Sequence, residues 1–77
     1  MENQIKDKLV QGIKAIILSA SYEKLSGNET MEAVYIFCDM MEEIGVPPQI
    51  IGDAFNESMR WVRASAQRMQ REHDASM

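Results

Sequence analysis

The side chains best suited to binding chemistry are four arginines, Arg60, Arg63, Arg68 and Arg71, with Trp61 among them. At 100° per residue the four fall within about 140° of one helix side. Guanidinium groups gathered in this way can fork onto carboxylates or other anions. They can also lie solvated, with Glu57–Arg60 and Arg68–Glu72 as local pairs, or face the acidic wedge of Glu32, Asp39 and Glu43 on another helix or subunit. Trp61 lies off the main apolar stripe of its helix, near Ile50, Ala54 and Ser65. A tryptophan beside arginines has the composition of an interface anchor, or else it caps the rim of the core. Leu18, Tyr22 and Leu25, at i, i+4 and i+7, form a second apolar strip with no cover expected inside a small bundle. The expected partner-binding surface is therefore Leu18, Tyr22, Leu25, Arg60, Trp61, Arg63, Arg68 and Arg71.

Reactive chemistry has weaker candidates. Cys38 lies on the apolar side of its helix without an accompanying histidine or base, so it reads as a buried, inert thiol. His73, the single histidine, lies between Glu72 and Asp74 near the end of the chain and reads as an exposed residue. Glu42 and Glu43 are adjacent, but no shielded pocket of the kind paired catalytic carboxylates need is implied around them. Zinc spacing, a phosphate-binding glycine loop and a nucleophile elbow are all missing from the sequence. Neither enzyme activity nor a metal or cofactor is expected. The sequons Asn28-Glu29-Thr30 and Asn56-Glu57-Ser58 read as chance matches.

The framework that positions these groups is short. Seventy-seven residues make one domain, and a chain of this size buries only about 60% of its unfolded surface. With one cysteine there is no internal disulfide, so self-association is the economical source of further burial. A homodimer is expected. The net charge is −4. Residues 1–46 hold eight acids and four lysines, and residues 47–77 hold four acids and four arginines. Nucleic-acid affinity comes mostly from phosphate neutralisation, so an acidic chain without a basic tail points to a protein as partner. The N-terminus alternates charged and apolar residues, unlike a signal peptide. No apolar run approaches the ~20 residues that a bilayer crossing needs. These features, with the free thiol, lead to an expectation of cytoplasmic residence and no membrane partner.

Periodicity divides the chain into three helices, over about residues 3–25, 29–44 and 48–73, with residues 74–77 frayed. The first presents Ile5, Leu9, Ile13, Ile16, Ile17 and Ala20 on one face, and Gly12 marks a kink or a close helix contact. The second, TMEAVYIFCDMMEEIG, confines its polar residues to a narrow wedge. Such a helix is expected at the centre of the fold, covered from several directions, with Ile36, Phe37, Met40 and Met41 meeting a second chain. Ser26 and Glu29 match a capping box for it, with Asn28 or Thr30 as alternative caps and Gly27 as a possible end to the first helix. Gly45 fits a left-handed C′ position, Val46 the following C″ position against Met41, and Pro47-Pro48 the cap and first residue of the third helix. The third helix shows Ile51, Phe55, Val62, Ala66 and Met69 as its core face.

Residues Met41–Ala54, with Ile44-Gly45-Val46 followed by Ile51 and Ala54, resemble a helix-turn-helix corner. That resemblance implies a second helix that reads bases from its first turns. Here those turns hold Asp53 and Glu57, no lysine or arginine, and only Gln49 and Asn56 as readers. The corner therefore reads as structural.

The expected class is an all-α, three-helix domain that docks on another protein as a small cytoplasmic regulator or inhibitor, of the accessory kind carried by phages and mobile elements. The alternatives are a dimeric DNA-binding regulator using Gln49 and Asn56, and a self-assembling structural subunit.

Overall fold

The computed structural model describes residues 2–75 and consists of three helices: α1 (Glu2–Tyr22), α2 (Gly27–Glu43) and α3 (Pro48–Ala75). No strand occurs among the described residues.

Each junction follows from local chemistry. Ser26 caps α2 in a full capping box: its Oγ accepts from the Glu29 amide at 3.1 Å, and Glu29 Oε1 accepts from the Ser26 amide at 3.1 Å. At the other end the Gly45 amide donates to the Glu42 carbonyl and the Val46 amide to the Met41 carbonyl. With Gly45 at φ 102°, this is the expected Schellman ending. The amides of Ile50 and Ile51 then reach back to the Pro47 carbonyl, so Pro47 caps α3 and Pro48 opens it.

The end of α1 differs from expectation. The helix stops at Tyr22, and the Leu25 amide donates to the Ala20 carbonyl while the Lys24 amide donates to that of Ser21. This is a second Schellman ending, with Lys24 at φ 61° in the place glycine usually takes. Gly27 does not close α1; it is the first residue of α2. At the far end, α3 runs through Ala75, and the expected fraying of 74–77 falls partly on residues 76 and 77, outside the described residues.

The core is small. Leu9, Val10 and Ile13 of α1, Val34 of α2 and Ala54 of α3 form its buried cluster, with Ile16, Ile17, Phe37, Cys38, Met41, Val46, Ile50, Ile51 and Phe55 packed against it. Ile5, expected in the core, is 40% exposed.

The order of the layers corrects the expected centre. α1 packs most extensively against α3 and next against α2, whereas α2 and α3 touch least. The central helix is therefore α1. Backbone approach decides this, because α3 turns small residues inward: Ala54 and Ser58, one turn apart, are fully buried. The Ser58 hydroxyl donates to the Ala54 carbonyl at 2.8 Å, so its burial leaves no polar group unpaired. The buried line of α3 is rotated by about 60° from the expected stripe, and Ala66 and Met69 are exposed. Lys6 pairs with Glu57 at 3.7 Å and Lys14 meets Trp61, so α1 and α3 run in the same direction. The Cα envelope measures 49 × 24 × 14 Å, its length reflecting the 28 residues of α3.

Candidate docking surfaces

Two unlike surfaces remain on this frame. The first is a groove of about 480 Å³ lined by Trp61, Ala64, Arg68 and Arg71. Trp61 is half-buried where α3 leans on α1, and Lys14 Nζ stands 5.2 Å from its ring centroid, within cation–π range. Arg68 Nη2 donates to Ser65 Oγ at 3.4 Å. Leu18 follows Lys14 by one helical turn and Tyr22 by two, toward the same end of the molecule as Arg68 and Arg71. Leu18 is 58% and Tyr22 86% exposed. The groove thus has an aromatic wall with cations around it.

The expected partner-binding set is brought together only in part. Arg60 and Arg63, though exposed, belong to a separate polar cleft with Lys6, Asp53 and Asn56. Leu25 belongs to another groove with Ile17, Met31 and Val62. The expected Glu57–Arg60 pair is replaced by Glu57–Lys6, because α1 presents Lys6 across the helix interface. The expected Arg68–Glu72 pair falls outside the described residues, as does the side chain of His73.

The second surface belongs to α2. Tyr35, Ile36, Met40 and Ile44 are each more than half exposed, and Val34 is the one buried residue of the helix. Of the expected self-association residues, Ile36 and Met40 point outward. Phe37 and Met41 do not; they pack against the core cluster. Phe37 lies over Gly12, where an added Cβ would come within 2.8 Å of Cζ. Gly12 is thus the close helix contact, and there is no room there for a side chain. Beside this surface, between α2 and α3, Tyr35, Cys38, Asp39, Glu42, Ile51 and Phe55 line part of a cleft of about 300 Å³. The Tyr35 and Phe55 rings stack there at 5.9 Å with 20° between planes. Sequence periodicity missed this pair. The Gly45–Pro48 corner holds the signal: folding back antiparallel about it sets the mid-thirties opposite the mid-fifties.

The electrostatics of α2 are one-sided, with five acids and no base. Burial, and then the neighbouring Asp39 charge, push the Cys38 thiol up, which disfavours the thiolate a nucleophile requires. Cys38 is half-buried rather than enclosed. Backbone and side-chain hydrogen bonds from Ser26 hold Glu29 below its ordinary value. Gln49 and Asn56 are exposed, and Asn56 shares its cleft with Asp39 and Glu42. No group of three or more His, Cys, Asp and Glu suited to a metal ion occurs among the described residues. Nor is any helix among them long and apolar enough to cross a membrane.

Set against known protein families, curated proteins and solved structures, the chain matches none of them.

Proposed function

We propose that this protein is a non-enzymatic docking module that binds another protein through the groove around Trp61. The observation that carries the reading is the arrangement of Lys14, Arg68 and Arg71 around a half-buried tryptophan, with the exposed Leu18 and Tyr22 one and two turns beyond Lys14 on α1. An amphipathic ring held in place by a neighbour contributes large contact area at low entropic cost. Surrounding cations then select a partner surface of opposite sign. Arg60 and Arg63, on a separate cleft, lie outside this site. An accessory regulator or inhibitor resident in the cytoplasm is the role that fits such a module.

The test is affinity capture from the native host, comparing wild type with Trp61→Ala and with Arg68→Glu/Arg71→Glu. Both variants should lose the partner while keeping wild-type helicity by circular dichroism. Unchanged capture by both would overturn the assignment.

A further inference from the structure

We infer that the groove around Trp61 accepts the outer face of α2 from a second copy of this chain. The inference rests on the proposal that the groove is a docking surface, and it names an occupant. At 100° per residue, Glu32, Ile36, Asp39 and Glu43 lie within about 60° of one another, and all four are exposed. Met40 borders them at 54% exposed. The result is a ridge of alternating carboxylates and apolar side chains with no cation in its helix. The groove presents the inverse pattern: Lys14, Arg68 and Arg71 around Trp61, with the exposed Leu18 one turn beyond Lys14 on α1.

Among the described residues, no ion pair involves either set; the pair that forms is Lys6–Glu57. The fold also prevents internal neutralisation. Val34 and Phe37 turn the opposite side of α2 inward, so Glu32, Ile36 and Glu43 face outward, while Asp39 borders the cleft with α3. Two faces matched in charge and apolar content, yet held apart in one molecule, can meet only between molecules. An acid-only ridge repels its own kind, so like-to-like pairing of α2 is disfavoured and the contact joins unlike surfaces.

Two charge-reversed proteins test this: Asp39→Lys/Glu43→Lys on the ridge and Arg68→Glu/Arg71→Glu in the groove. All four positions are exposed, so neither pair of substitutions disturbs the core, and circular dichroism checks that each variant folds. Sedimentation velocity from micromolar to millimolar concentration should show wild type associating, more weakly as salt rises. Each variant alone should associate at least about tenfold more weakly, since both of its contacts become repulsive. An equimolar mixture should associate again, because each variant's altered face then meets its complement. A wild type that stays monomeric throughout would overturn the inference, as would variants that associate normally or a mixture that does not recover. The docking proposal is read separately. If the groove variant loses the captured host protein and the ridge variant keeps it, docking stands whatever the self-association result.

Discussion

The α1–α3 pair and α2 are built on opposite principles. Between α1 and α3, small residues do the joining: Ala54 and Ser58 are fully buried, and the helices meet along much of their length. α2 is fastened by Val34 and by the half-buried Phe37 and Met41, while three of its large apolar side chains, and Ile44 at its C-cap, stay more than half exposed. The difference teaches that apolar content and centrality are separate properties. α2 has the higher apolar content by sequence, but α1 occupies the middle because its neighbours can approach it closely.

This contrast can be broken or sharpened in graded steps. The largest effect is expected from Ile13→Ala, since Ile13 is 1% exposed and joins the cluster shared by all three helices. It should cost about 2–5 kcal/mol and unfold α2 and the α1–α3 pair together, as read by denaturant melts. Gly12→Val should cost about 1–3 kcal/mol by displacing Phe37. Its effect should be confined to α2, with faster amide exchange there and unchanged Trp61 emission. A matching change in Trp61 emission would mean that the two regions are not separable.

The next step strengthens the attachment of α2. Lys24 holds a left-handed conformation that costs a non-glycine residue about 1–2 kcal/mol. Lys24→Gly should recover about 1 kcal/mol of that, visible as a raised denaturation midpoint. The smallest effect is electrostatic. Glu29 is held below its ordinary value of 4.5 by the capping box. A lowered folded value means that its contribution is fully present above about pH 4.5 and is lost as pH falls through the lower folded value. Glu29→Gln should flatten the acid limb of the α2 stability curve and leave the neutral region nearly unchanged. An identical acid limb in the variant would remove Glu29 as its cause.

Legibility in the sequence follows the range of the interactions. Ser26 with Glu29, and Gly45 with Val46 and Met41, were readable because each motif closes within a few residues. Helix number and the corner at Pro47-Pro48 followed from the same local rules. The expected centre is misplaced, and the expected core face of α3 includes the exposed Ala66 and Met69 and leaves the buried Ala54 and Ser58 off its stripe. Periodicity reports which side of a helix is apolar; it is silent on how close two backbones can come. The groove around Trp61 shows the same division. Trp61, Arg68 and Arg71 share one helix and were found together. Lys14 over the ring, and the separation of Arg60, Arg63 and Leu25 into other clefts, depend on α1 and could not be read from α3 alone.

The length of α3 has a consequence for binding that contacts alone do not convey. From Ala66 to Arg71 every residue is exposed, so that stretch keeps its helix by local propensity alone. Short helical segments without tertiary support are marginal in water. A partner seated on Arg68 and Arg71 therefore draws part of its binding free energy down to fix the backbone beneath them. A position on the opposite side of the helix from Arg68, such as Gln70, would then act as a rheostat on affinity through its helix–coil equilibrium.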